Sequence, residues 1–296
     1  MDDDIRQAKL TKSAITAAMR EYGSEQPELK PLMNFFREIF GIQKRHAAGL
    51  PLQFPKLSKE EVQSRFEAKK PLLKPQDLKP APSDLRETMR DICTMIETKS
   101  PHPPEGLKAF MDGELLNDEW LAAFKDAYLQ GKSRNFAREA KKAGLKPNVA
   151  TLVAHTSLAP FFWKQAAGIR PQLSLNQVAT GACPICGARP IMGFIRAEDG
   201  MRVLECSLCG TRWGAPRMAC AFCRTQDRSK LRYHFAENDN SRRVYVCDSC
   251  KGYLKVTDMS GRVGDPILAL EDMATAYLDE VAQERGYKRA CNTVFG

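Results

Sequence analysis

Eight of the ten cysteines in this 296-residue chain fall into four C-x-x-C pairs: Cys183/Cys186, Cys206/Cys209, Cys220/Cys223 and Cys247/Cys250. Two residues between thiolates let one tight turn aim both sulfurs at a single ion. Two such turns complete a tetrahedron with sulfurs about 2.3 Å from the metal. The gap between Cys186 and Cys206 is 19 residues and that between Cys223 and Cys247 is 23. The first set therefore fits the four-cysteine pattern with a loop of about 15–20 residues, and the second is slightly long. Gly187 and Gly210 directly follow their pairs, where a left-handed residue lets backbone N–H groups curl toward sulfur; Arg224 and Lys251 hold those places in the second set. Sequential pairing (first pair with second, third with fourth) is the simplest assignment. The interleaved one, first with third and second with fourth, stays open.

These eight cysteines predict two ions, each in a four-thiolate site, stapling modules too short to fold alone. Tetrahedral sulfur accepts zinc or iron. A closed four-thiolate shell leaves no position for substrate, and the chain carries no G-x-S-x-G, H-E-x-x-H or phosphate-binding loop. A catalytic centre is not indicated. The start, Met1-Asp2-Asp3-Asp4-Ile5-Arg6, is acidic and lacks an apolar signal core, and no run approaches the roughly 18–20 apolar residues of a membrane span. A cytoplasmic protein without membrane insertion is expected, a setting in which C-x-x-C pairs bind metal or act in redox chemistry rather than form structural disulfides.

The fold class predicted is α+β, with four segments. Residues 1–178 read as a mainly helical domain, 179–215 and 216–264 as tandem four-cysteine ribbons, and 265–296 as a C-terminal helix and tail. Leu32, Phe35, Phe36, Ile39 and Phe40 share a helical face, with Gly41 as the stop. Pro51, Pro55, Pro71, Pro75, Pro80 and Pro82 forbid a long helix between Gly49 and Pro82, leaving room for a short one over 58–70. Ser83 or Asp84 is suited to cap a helix facing inward with Leu85, Met89, Ile92, Cys93 and Ile96. Further helices are expected from Asp118 and across the apolar stretch 149–163. Short β-type runs at 191–195, 201–204, 231–235 and 243–246 lie between the cysteine pairs. Asp265-Pro266 opens a last helix that Gly286 ends.

The net charge of +9 raises nucleic acid as an alternative partner. Most of the excess lies outside the ribbons, however. The local exception runs from Arg212 to Arg243 and includes Arg217, Arg224, Arg228, Arg232 and Arg242; it reads either as a solvated ribbon face or as a binding patch, without dense basic–aromatic interleaving. His234 could replace a ligand, but four cysteines already suffice. His155 reads as a core histidine, His46 and His102 as exposed, Cys93 as a core residue, and Cys291 is unassigned.

The order Cys183-Pro184-Ile185-Cys186-Gly187, Cys206-Ser207-Leu208-Cys209-Gly210-Thr211-Arg212-Trp213, Cys220-Ala221-Phe222-Cys223 and Cys247-Asp248-Ser249-Cys250-Lys251-Gly252-Tyr253-Leu254-Lys255, closing on Tyr287-Lys288-Arg289 near Asn292, resembles the formate dehydrogenase accessory protein FdhE family. The resemblance covers about the last 115 residues. It implies rubredoxin-like ribbons able to hold iron, with the eight paired cysteines as ligands. It also implies a cytoplasmic maturation factor, chaperone-like, that binds the catalytic subunit of formate dehydrogenase and is needed for that enzyme to become active.

Overall fold

The computed structural model describes residues 12–51, 57–176, 178, 180–237, 239–262 and 265–291. The expectations at Met1–Arg6, Pro55, Ala179 and Asn292 lie outside the described residues. In chain order the elements are α1 (Lys12–Glu25), α2 (Lys30–Gly49), α3 (Lys59–Glu67), α4 (Pro82–Lys99), α5 (Leu107–Asp112), α6 (Asp118–Leu129), α7 (Ser133–Lys142) and α8 (Pro147–Ile169). Six strands follow: β1 (Pro190–Ile195), β2 (Arg202–Cys206), β3 (Arg212–Ala215), β4 (Leu231–Ala236), β5 (Asp239–Cys247) and β6 (Gly252–Asp258). The last elements are α9 (Leu268–Ala274), α10 (Ala276–Glu284) and β7 (Lys288–Arg289).

The chain divides into two compact units. The helical unit comprises Pro31–Pro55 and Lys74–Gly168, with α2 and α4–α8. Its α2 passes straight through Gly41, because a glycine with ordinary helical torsions costs only about 1 kcal/mol against alanine and a longer buried face outweighs it. That face is centred on Met33, Phe36, Ile39 and Phe40, while Leu32 is exposed. The start of α4 also differs from expectation: Pro82 is its first residue, where a missing N–H costs nothing, and Ala81 is the cap. Its inward residues Leu85, Met89, Ile92, Cys93 and Ile96 are all buried as the periodicity requires. Asn117 caps α6 through a 3.0 Å bond from Trp120 N, and Trp120 stacks on Phe124 at 4.6 Å. The long apolar α8 includes Pro160 and buries Val153, Leu158 and Phe162, with Thr156 O accepting 2.9 Å from Gln43 Nε2. His155 bonds Tyr128 at 2.8 Å, and His46 lies 2.9 Å from Asp91.

The second unit comprises Met1–Lys30, Lys56–Leu73 and Ile169–Asn292. All its strands join one seven-stranded sheet, ordered β3-β2-β1-β6-β5-β4, with β7 beside β6. Strands β1–β3 form one antiparallel ribbon and β4–β6 another. They are fused by a parallel seam in which Gly193, Phe194 and Ile195 oppose Val256, Thr257 and Asp258. This seam removes two exposed edges that separate ribbons would present.

Strand alternation then sorts the side chains. On one face Met192, Phe194 and Val203 pack with Met259 and Leu268, and Val244, Val246 and Tyr253 pack with Leu278 and Ala282. The C-terminal helix that covers this face is broken at Thr275 into α9 and α10, and Asp265 pairs with Arg212 rather than capping. Beneath the helices Lys255 Nζ, 1% exposed on its side chain, reaches Asp272 at 2.8 Å and Asp279 at 2.5 Å, and Arg289 binds the same two carboxylates. A second buried hub is Glu271, which accepts from Tyr22 of α1, Thr257 and Arg242. The short α3 carries a full capping box, Ser58 with Glu61, and the chain after it donates from Leu72 N and Leu73 N to Pro184 and Ile185 in the first cysteine turn. No described helix is long and apolar enough to cross a membrane.

Candidate metal centres

Each ribbon starts its first strand after one cysteine pair, ends its second strand at the other, and begins its third beyond that pair. Antiparallel neighbours return these points to one end of the ribbon. The parallel β1–β6 seam puts both ribbons' cysteine ends at the same end of the sheet.

At that end the pairing is sequential. Cys183 Sγ lies 3.6 Å from Cys209 Sγ, and Cys186 Sγ 3.4 Å from Cys206 Sγ. In the second set Cys220–Cys250 and Cys223–Cys247 are each 3.7 Å apart. All four sulfurs of each set fall within 4.8 Å of one another, and all eight cysteines are free. A tetrahedron with bonds of about 2.3 Å has edges of about 3.8 Å, so the donor sets fit a tetrahedral thiophilic ion. They could hold metal; their geometry suits zinc and iron alike. Burial pushes the Cys206 thiol well above its usual range, so its thiolate needs a cation beside it.

The backbone of the turns is the same in both sets. The residue after each pair is left-handed: Gly187 at φ 75°, Gly210 at 65°, Arg224 at 66° and Lys251 at 55°. The turn closes with N–H bonds from Gly187 to Cys183 O, Gly210 to Cys206 O and Lys251 to Cys247 O. Sulfur accepts backbone N–H groups at 3.4 Å, from Leu208 and Cys209 to Cys206 and from Phe222 to Cys220. Glycine is thus favourable at this place but not required. At Gly187 the close approach is real, because a Cβ would sit 3.2 Å from Pro71 Cγ.

Burial separates the two sites. All four cysteines of the first are buried, whereas Cys223 and Cys250 of the second are exposed. Sequence reading missed the groups around the first site. Arg170, 4% exposed, donates to Cys209 O and to Thr211 Oγ1, each at 3.1 Å, and Thr211 Oγ1 lies 3.1 Å from Cys209 Sγ. Burial lowers the pKa of Arg170 while the neighbouring sulfurs of Cys209, Cys183 and Cys206 favour its charge. No local pattern marks it, since it follows an apolar helix and meets the sulfurs only in the fold.

The remaining candidates sort plainly. Cys93 is fully buried and its thiol is pushed up to about 12 by burial, as a core residue. His234 belongs to neither four-sulfur set, and Cys291 lies near Arg289. Of the basic stretch, Arg212 and Arg242 are not surface residues. Arg212 is fully buried, bound to Glu205 at 2.7 Å and Asp265 at 2.9 Å, and Arg242 is held by Asp239 and Glu271.

The family model described as the central domain of FdhE matches residues 182–217, the stretch that holds all of the first site and β1–β3. Over that stretch the chain is similar to FdhE proteins. An FdhE homolog of Aquifex aeolicus is 35% identical over 108 residues, 36% of this chain and 38% of that protein. An FdhE homolog of Haemophilus influenzae (strain PittEE) is 30% identical over 135 residues, 44% and 43% of the two chains. Protein FdhE of Escherichia coli (strain K12 / DH10B) is 28% identical over 136 residues, 44% and 42%. The chain thus spans about two fifths of the length of these curated relatives. The crystal structure of the FdhE protein from Pseudomonas aeruginosa has the same fold, with a TM-score of 0.68 over 98% of both chains at 20% identity. The α+β architecture of helical region, four-cysteine ribbons and C-terminal helix is therefore that of an FdhE fold.

Proposed function

We propose that this chain is a cytoplasmic, non-catalytic maturation factor that binds the catalytic subunit of formate dehydrogenase and is required for its activation. Cys183, Cys186, Cys206 and Cys209 hold one ion, and Cys220, Cys223, Cys247 and Cys250 hold the other. The observation that carries this reading is the pair of convergent four-sulfur sets in an FdhE fold. Four protein ligands close each shell, so substrate finds no open coordination position, and the ions serve to shape a binding surface. When bound, iron supplies a one-electron couple, whereas zinc supplies a redox-silent staple. The exposure of Cys223 and Cys250 makes the second site the one that a partner or oxidant reaches.

The test is anaerobic purification of the full chain with metal analysis and a visible spectrum, followed by mixing with the catalytic subunit in apo and cofactor-loaded forms. The reading expects two ions per chain and a stable complex with one form of the subunit. Failure to bind either form removes the maturation role. A nucleic-acid role is the weaker alternative, because two of its arginines, Arg212 and Arg242, are buried in ion pairs.

A further inference from the structure

The helices α9 and α10 cover only one face of the sheet. The opposite face of the second ribbon carries Tyr233 and Phe235 of β4, stacked at 6.1 Å, with Tyr245 of β5 5.5 Å from Tyr233. Four large apolar side chains are exposed among the described residues, and three of them, Met218, Tyr233 and Phe235, belong to this region at 58%, 51% and 48%. Exposed aromatic and methionine side chains grouped in this way mark interaction surfaces. Beside them lies a cavity of about 310 Å³, lined by Arg202, Arg217, Met218, Tyr233, Arg243 and Tyr245 among others, and by no acidic residue.

The charge is as one-sided as the shape. Arg202 is 3% exposed and has no carboxylate partner among the described residues. Its Nη2 donates to Pro216 O and to Ala219 O, the latter at 2.8 Å, and its buried Nε has no partner. Burial lowers its pKa to about 10, the cost of a guanidinium without a counter-ion. Arg217 is exposed and, among the described residues, bonds only Gly200 O, at 3.1 Å. Arg243 lies over the Tyr233 ring at 5.4 Å and pairs with Asp258 at 3.7 Å, and Arg232 pairs with Asp248 at 2.7 Å.

We propose that this open face of the second ribbon is the docking surface for the partner, and that it takes a protein segment carrying carboxylate and apolar side chains together. An apolar side chain enters the cavity, a carboxylate meets Arg202 and Arg217, and the rest of the segment covers Tyr233 and Phe235. The aromatic shelf continues from Tyr233 at the cavity to Phe235 beyond it, which makes the surface larger than a small molecule needs. Arg232 and Arg243 are already answered by Asp248 and Asp258, which leaves Arg202 and Arg217 to meet an isolated carboxylate rather than a polyphosphate chain. The inference rests on the partner-binding reading above and adds to it the surface and the chemistry of the bound segment.

The experiment measures binding of the metal-loaded full chain to the catalytic subunit of formate dehydrogenase for wild type, Tyr233→Ala, Met218→Ala, Arg217→Glu and the control Leu32→Ala. All four positions are exposed, and unchanged metal content and melting temperature establish that each variant is folded. The first three are expected to bind at least tenfold more weakly, Arg217→Glu with a reduced dependence on salt, and Leu32→Ala as wild type. Wild-type binding with no loss in the three variants overturns the surface and leaves the partner reading standing. Absence of wild-type binding overturns both. Two further arms exclude other occupants: single-stranded oligonucleotide binding, or dimerisation of the chain, that is abolished by these variants assigns the face to nucleic acid or to a second copy and overturns the proposal.

Discussion

Arg224 holds the left-handed backbone conformation of Gly187, φ 66° against 75°, at the equivalent place in the other ribbon. For a residue with a Cβ that conformation costs about 1–2 kcal/mol, part of which glycine returns through its larger unfolded-state entropy. Arg224→Gly is therefore expected to stabilise the chain by up to about 1 kcal/mol. The converse, Gly187→Ala, meets both the torsional cost and Pro71, and loses about 2 kcal/mol. Chemical denaturation of the two variants at fixed metal loading measures both signs, and a stabilised Gly187→Ala refutes the argument.

Metal removal is expected to be ordered. With Cys223 and Cys250 exposed and the first site buried, a chelator takes the second ion faster. Alkylation followed by mass spectrometry during chelation should label Cys223 and Cys250 before Cys183 or Cys186; the reverse order contradicts this account. Cys186→Ser is expected to lose one ion and to destabilise β1–β3, because so small a ribbon relies on its staple.

Beneath the C-terminal helices, Asp272→Asn removes one of two carboxylates from Lys255 and from Arg289. Losing one partner of a buried pair costs about 3–5 kcal/mol, and the retained Asp279 brings the expectation down to roughly 2–3 kcal/mol. Thermal and denaturant unfolding check it. A loss below 0.5 kcal/mol, on the order of a surface substitution, contradicts the network.

Burial lowers the pKa of His234 below 6.5, with Arg285 and Arg232 acting in the same direction. The unfolded chain then binds a proton that the folded chain resists, so this group's contribution to stability is complete above 6.5 and declines as pH falls through that value toward the folded pKa. An NMR titration should place the His234 midpoint below 6.5, and His234→Gln should remove that part of the pH slope. A midpoint above 6.5 reverses the sign.

The cysteine turns were legible because their information is local: two residues between sulfurs and a left-handed residue after them. The single sheet was not, because the β1–β6 seam joins residues about 60 apart through backbone groups that leave no sequence mark. Strand β6 went unread for a related reason. Its Lys255 looks like a surface residue until Asp272 and Asp279 arrive from α9 and α10. Arg212 and Arg242 misled in the same way, their charges being answered by Glu205 and Asp265, and by Asp239 and Glu271. Helix α7 buries only Glu139 and Ala140, too little apolar surface for a periodicity to show.

Backbone hydrogen bonds across β1–β6 mean that strand count, rather than a tether, sets the distance between the two thiolate sites. Three inter-strand steps of about 4.8 Å make it on the order of 14 Å. The sheet is in effect a gauge with two marks on one end. A loop inserted between Ala215 and Cys220 lengthens the connection but leaves the marks in place, and any surface that meets both must be cut to the same span.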